Sequence, residues 1–307
     1  MIHHPSHKRS SMFPRSFEAG LRVGAVQYLN TRPLVHGLTA TGVEVSYDLP
    51  SRLADRLASG SLDVALIPSV EVFRGGYRVI SDACIGCRGP VMSVKIFFRT
   101  SPGSVATLAV DVGSRTSAAL ARVLLAERHG VFPEVESLPI GAGLADTQAD
   151  AVLLIGDRAL DSRGSAGRDA GSFQLVWDLG DEWCRWTGLP FVFAVWAARD
   201  GVDVDSLALL LARARDSGLA NLAAIAAAEA GGHGLTVPQC LGYLHDNLHY
   251  HLGHREHEAL TLFQRHAAAL GLVPSNERLR MARGTVTVGD GTAGKWPSEI
   301  VLPGKAS

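Results

Sequence analysis

The sequence predicts an α/β protein in which one domain is interrupted by a second α/β unit and then completed by helices. Three observations carry that reading. Short apolar runs at 21–26, 62–67, 108–111 and 151–155 alternate with stretches of helical periodicity, the pattern of a parallel sheet covered by helices. The alternation restarts after Pro102. From Ser206 onward only helical periodicity is left, at 207–215, 219–230, 237–247 and 255–270.

In chain order, residues 1–20 form a polar, basic lead without periodicity, and it lacks the apolar middle that a secretory signal requires. It is expected to be disordered. A buried strand at 21–26 hands over to Tyr28-Leu29-Asn30-Thr31-Arg32-Pro33-Leu34. Pro33 suits a first helical position, and Asn30 or Thr31 suits the cap. A helix start of this kind offers free amides and the positive end of a dipole to an anion, though the same residues also make an ordinary strand-to-helix connection. Residues 43–47 alternate as a strand, 51–59 form a helix with Leu53 and Leu57 on one face, and the strand at 62–67 stops at Pro68. Strand 108–111 leads into a long helix over 116–129, strand 151–155 follows, and 173–177 is a further strand. Residues 276–307 are poor in apolar periodicity and are expected to be a loosely ordered tail.

Composition excludes several classes. The 307-residue chain, 32.5 kDa, is 47% hydrophobic with a mean hydropathy of +0.14, enough to pack two domains. Its net charge of −1 gives no general attraction to nucleic acid or an anionic membrane. No apolar run reaches transmembrane length. Four cysteines in a chain this long do not make a disulfide framework, so a reducing cytoplasm is the simpler setting.

Chemistry is expected where strands hand over to helices. Ser114-Arg115-Thr116-Ser117 places three hydroxyls and several amides at one helix start, and Arg115 is able to pair with a carboxylate in a bidentate way. The alternative is an N-cap with a solvent-facing arginine. Gly156 would let backbone approach a ligand, while Asp157 beside it either reaches that ligand or caps the next turn. Ser69 follows Pro68 at a strand end, again a ligand group or a cap. Ser93 falls in an alternating stretch that would aim it at a cleft. Cys84-Ile85-Gly86-Cys87 has redox or zinc spacing, but no second pair follows at a metal-binding distance. His245 and His249, four apart in a cluster running to His257, are able to share a helix face, yet no HExxH motif is present. No metal site and no cofactor motif is therefore assigned.

Several blocks carry a family resemblance. They are Tyr28 to Leu34, Leu62-Asp63-Val64-Ala65-Leu66-Ile67-Pro68-Ser69, Cys84-Ile85-Gly86 with Val91-Met92-Ser93-Val94, Ser114 to Ser117, and Leu153-Leu154-Ile155-Gly156-Asp157. The longest is Asp178-Leu179-Gly180-Asp181-Glu182-Trp183-Cys184-Arg185-Trp186-Thr187-Gly188-Leu189-Pro190-Phe191-Val192-Phe193-Ala194. In this order, spread over about 21–274, they resemble the chorismate dehydratases of the futalosine route to menaquinone, the MqnA family. Cys87 departs from that pattern, which has a serine there. The related dihydroxynaphthoate synthases share the fold but begin with a Ser-Pro-Cys-Pro-Asn-Asp motif that this chain lacks.

The resemblance implies a type II periplasmic-binding-protein-like fold, with two lobes joined by two crossover strands around a cleft. Lobe 1 is expected over 21–98 plus 197–275 and lobe 2 over 99–196, with crossovers near 93–100 and 189–198. It further implies a lyase that removes water from chorismate, with Asn30 catalytic and Thr31, Ser69, Ser93, Ser114, Arg115, Thr116, Ser117, Gly156 and Asp157 binding the substrate. No cofactor is needed for such a dehydration. The base is either a carboxylate of the protein or the substrate's own. A solute-binding protein without catalysis is the rival reading, and the oligomeric state is left open, a homodimer included.

Overall fold

A computed structural model describes residues 21–41, 43–160 and 173–282. The disordered lead expected at 1–20 and the tail beyond 282 lie outside the described residues.

Two mixed sheets organise the chain. The first contains β1 (Val23–Val26), β2 (Val45–Asp48), β3 (Val64–Pro68), β4 (Arg78–Cys87), β10 (Phe191–Ala198), β11 (His249–His251) and β12 (Arg280–Met281), in the order β11-β4-β10-β3-β1-β2 with β12 also on β4. The second contains β5 (Val94–Phe98), β6 (Thr107–Asp111), β7 (Glu134–Leu138), β8 (Ala151–Ile155) and β9 (Leu175–Asp178), in the order β7-β6-β8-β5-β9. Counted within each unit, both sheets run second, first, third, crossover strand, fourth. The crossover strand is the one that arrives from the other unit. It enters antiparallel, β10 between β3 and β4 and β5 between β8 and β9, so neither sheet is purely parallel.

That entry changes the expected division. β5 belongs wholly to the second sheet and β10 wholly to the first, whereas boundaries at 98/99 and 196/197 assign all of β5 and the first six residues of β10 to the other unit. The physical reason is that β10 is buried at every residue and β5 at all but one. A strand covered on both faces reads alike in either sheet. The connections themselves are short, at 88–93 and 188–190. We propose lobes spanning 21–87 with 191–282, and 94–187.

Helices fill the remaining faces. They are α1 (Pro50–Ala58), α2 (Ser69–Gly75), α3 (Arg115–His129), α4 (Asp157–Leu160), α5 (Leu179–Thr187), α6 (Asp205–Ala220), α7 (Leu222–Glu229), α8 (Val237–Gly242) and α9 (His254–Ala269). After α8 the chain makes a π-helical turn, Tyr243–Asn247. The region past Ser206 is therefore not all helix, since β11 and β12 return to β4. β12 falls in the stretch expected to be a loose tail.

Two further strands, β4 and β7, escaped the sequence reading for opposite reasons. β4 carries Ser81, Asp82 and Gly86 among its apolar residues, yet all ten of its residues except Arg78 are buried. Asp82 is satisfied there by Arg215 of α6 at 2.8 Å, a partner 133 positions away in the chain. β7 is an edge strand with four exposed residues and no apolar face to recognise. The main core is continuous across both lobes, and Trp183 illustrates how the second connection is anchored. Its ring packs on Phe191 and Phe263, and its Nε1 donates to Pro190 O at 2.9 Å.

Candidate active site

β1 delivers Tyr28 and Asn30 to the inner side of the first lobe. The segment after it, Leu29–Val35, is a 3-10 helix, with Thr31 N donating to Tyr28 O at 3.1 Å. Pro33 stands fifth in it rather than first, and no side chain caps its start. Asn30 and Thr31 are thus not caps. Thr31 is fully buried and its Oγ1 donates to Asn30 Oδ1 at 3.4 Å, leaving Asn30 half-buried at the cleft. A glycine makes this seat: a Cβ on Gly218 of α6 would lie 2.0 Å from Pro33 O, so only glycine allows the helix to lie against the segment.

The second lobe answers with the start of α3, a 15-residue helix whose first amides have no intrahelical partner. Ser114 stands at its N-cap without capping, and its buried Oγ has no hydrogen-bond partner among the described residues. Thr116 Oγ1 accepts from Val70 N of α2 at 3.2 Å, joining the two lobes directly. Ser69 Oγ lies 3.4 Å from the same Thr116 oxygen and donates to Val192 O at 2.7 Å. Arg115, expected to pair with a carboxylate in a bidentate way, is engaged within the protein. Its guanidinium spans the lobes to Asp55 Oδ1 at 2.7 Å and Glu71 Oε2 at 3.4 Å, because two carboxylates lie within its reach there.

Ser93 closes the first connection. Met92 beside it has φ +62°, unusual for a side-chain-bearing residue, and the Asp178 carboxylate holds it there by accepting from Val91 N at 2.9 Å and Met92 N at 2.6 Å. The same carboxylate accepts from Gly180 N and Asp181 N to cap α5, while burial pushes its acidity towards the neutral form. Gly156, at φ +60°, donates its N–H to Ser93 O at 2.8 Å. A Cβ there would meet three ring atoms of Tyr28 at 3.0 Å, so glycine lets the tyrosine of one lobe lie on the backbone of the other. Burial, seconded by the nearby Asp111 carboxylate, pushes the Tyr28 phenol well above its ordinary range.

These elements enclose a cleft with about 510 Å³ of empty space, part of it open to solvent. Asn30, Ser93, Ser114, Arg115, Thr116, Ser117 and Gly156 stand on its wall. Thr31, Ser69 and Asp157 do not: the first two support the wall from behind, and Asp157 Oδ2 pairs with His233 Nδ1 at 3.1 Å. Tyr28 and Phe193 line it as well, although the sequence reading singled out neither as a site residue. Tyr28 opens the very block that carries Asn30, so a signal for it existed. Phe193 stood in the longest block of the resemblance, but as one apolar residue among several.

The wall is chemically mild. Among the described residues it carries hydroxyls, the Asn30 amide, the α3 amides and the Arg115 guanidinium, but no carboxylate, imidazole, amine or thiol. The louder sequence signals lie elsewhere. Cys84 and Cys87 are buried in the core, and burial raises the pKa of both thiols. His245 lies on the π turn and His249 on β11, so they share no helix face. Among the described residues no group of three His, Cys, Asp or Glu side chains is placed to hold a metal, and no helix is long and apolar enough to cross a membrane.

Two lobes with sheets of like strand order, closing on a cleft built from strand ends and a helix start, define a periplasmic-binding-protein-like fold. The alkanesulfonate-binding protein of Xanthomonas axonopodis pv. citri, solved with bound MOPS, superposes with a TM-score of 0.62 at 14% identity, covering 87% of this chain and 100% of that one. A family model described as menaquinone biosynthesis matches residues 21–269. A chorismate dehydratase of Thermus thermophilus is 33% identical over 264 residues, covering 81% of this chain and 95% of its own. Another from Campylobacter jejuni is 32% identical over 167 residues, covering 54% of this chain and 58% of its own. The chain belongs to the menaquinone biosynthesis family.

Proposed function

We propose that this protein is a hydro-lyase that converts chorismate to 3-[(1-carboxyvinyl)oxy]benzoate and water. The observation that carries the reading is the wall itself: amides and hydroxyls gathered around the α3 start, beside an Arg115 already paired with Asp55 and Glu71, with no group among the described residues of the wall suited to take a proton.

Such a site fits the chemistry. Chorismate loses the proton on the ring carbon that bears the enolpyruvyl ether and the hydroxyl on the next carbon. The two leave as water and the ring becomes aromatic. As the proton departs, negative charge spreads through the diene onto the ring carboxylate. Free amides and hydroxyls at the α3 start, with the helix dipole behind them, stabilise charge at that carboxylate. Asn30 and Ser93 face them across the cleft. With no base on the wall, the substrate's own side-chain carboxylate is the acceptor for the proton. Closing the lobes then excludes water and strengthens each of these contacts.

The test is incubation of the purified protein with chorismate, followed by proton NMR. Loss of the ring diene signals with growth of a 1,3-disubstituted aromatic pattern is the expected result. Chorismate that binds but persists would identify a solute-binding protein instead. Chorismate that neither binds nor reacts would remove the substrate assignment.

A further inference from the structure

Two charged residues of the family blocks have no place on the cleft wall. Arg32 lies two positions after Asn30, and Asp157 directly follows Gly156. A short ionic chain connects them across the lobes. Arg32 Nε lies 3.1 Å from Glu229 Oε2 at the end of α7, and its guanidinium carbon stands 5.8 Å above the Tyr47 ring. The same Glu229 oxygen is 3.5 Å from Nε2 of His233, which ends the 3-10 turn Ala230–His233. On its other side His233 Nδ1 donates to Asp157 Oδ2 at 3.1 Å, since an ionised carboxylate only accepts. Asp157 Oδ1 has no hydrogen-bond partner among the described residues, which makes the His233 contact the main restraint on this carboxylate. The imidazole is 14% exposed, and its two nitrogens face carboxylates of different lobes.

Resting on the functional reading above, we propose that His233 is a positioning residue: it clasps the lobes by joining Asp157 to the Glu229–Arg32 pair, and so sets the distance between the Gly156 turn and the Asn30 segment. The location supports this. Tyr28, from the same segment as Asn30, already lies on the Gly156 backbone, and the clasp closes the seam that this contact begins. Thr116 and Arg115 join the lobes through α3 with α1 and α2, whereas His233 joins them through α4 and the turn after α7. With the His233 tie removed, the closed arrangement is less populated before substrate arrives, and substrate binding must supply the closure. The cost falls on binding rather than on the bound complex, in which the lobes are closed either way. Neither His233 nor Asp157 stands on the cleft wall, so the effect runs through the lobes and not through contact with substrate.

His233→Ala should raise KM for chorismate by about threefold or more, and by more than it lowers kcat. Asp157→Ala should do the same. The double variant should cost about as much as the larger single, because both changes cut one tie. A smaller rise in KM in either variant, a larger loss in kcat than in KM, or costs that multiply in the double overturns the proposal. A second readout needs no substrate. In hydrogen exchange of the ligand-free protein, Asp157→Ala in the second lobe should speed exchange of the segment 29–35 in the first by about threefold or more. A purely local packing role would change only the element that carries the substitution, so an unchanged 29–35 overturns the clasp. Should His233→Ala be unfolded by circular dichroism at the assay temperature, Asp157→Ala, at a partly exposed side chain, decides by the same KM and exchange criteria. If the parent protein makes no aromatic product, the functional reading fails, while the exchange comparison still decides on His233: an unchanged 29–35 in Asp157→Ala overturns it.

Discussion

Asn30 and Ser114 test the cleft one side chain at a time. Asn30 is half-buried with its amide at the wall, and Asn30→Ala should cut kcat about a hundredfold, the usual cost of losing one preorganised donor, without changing the melting temperature. Activity within twofold of the parent would make Asn30 a structural residue only. Ser114 differs because its buried Oγ is unpartnered in the free protein, a costly state that a ligand would relieve. Ser114→Ala should therefore leave stability unchanged or slightly higher, while KM for chorismate rises by about tenfold. A KM equal to that of the parent, measured beside a melting curve, would show that the hydroxyl does not meet substrate.

Elements explain how the side chains are held. The 3-10 helix bearing Asn30 has no cap of its own and is positioned by α6, which reaches it only because residue 218 has no Cβ. Alanine normally improves a helix interior by about 1 kcal/mol over glycine. Gly218→Ala should nevertheless destabilise by about 1–3 kcal/mol, because the new methyl would press on Pro33 O and drive the elements apart. It should lower kcat as well, since Asn30 moves with Pro33. Chemical denaturation and kinetics on one preparation check both, and a stabilised, fully active variant would show that α6 does not position the segment. α3 has the complementary role. It belongs to the second lobe yet packs on α2 and α9 of the first, with Thr116 and Arg115 supplying polar contacts to α2 and Glu127 pairing with His266 of α9 at 2.9 Å.

At the scale of the molecule, pH provides a test of the join between β4, β11 and α9. His249 of β11 lies 3.3 Å from Glu256, but burial and the adjacent Arg88 outweigh that attraction and pull its pKa down to about 4. Burial also lowers His251 and His257. Such histidines are neutral when folded and take up protons on unfolding below about pH 6.5, so the unfolded chain binds more protons there. Stability should therefore hold above about pH 6.5 and fall as pH drops towards 4, with His249 accounting for up to about 3 kcal/mol of the loss. His249→Gln should flatten that slope in denaturation series run between pH 4 and 7. An equal slope in parent and variant would mean that His249 is already protonated in the fold.

The sequence by itself determined the order of the elements and most of the handovers on which the cleft is built. β8 and the starts of α1 and α3 fall within one residue of expectation, because apolar period, proline and glycine act over a few neighbouring positions. Seven of the ten candidate residues stand on one wall for the same reason: each ends a strand or opens a helix, and strand ends converge. What tertiary structure alone decided are the pairings between distant positions. β5 and β10 show no local sign of which sheet they join. Arg115 is drawn to Asp55 and Glu71 only once the lobes meet, and Asp82 is tolerable inside β4 only with Arg215 beside it. Local preference reaches about one turn of chain, whereas these contacts join residues 44 to 133 apart and exist only once the packed core holds them there.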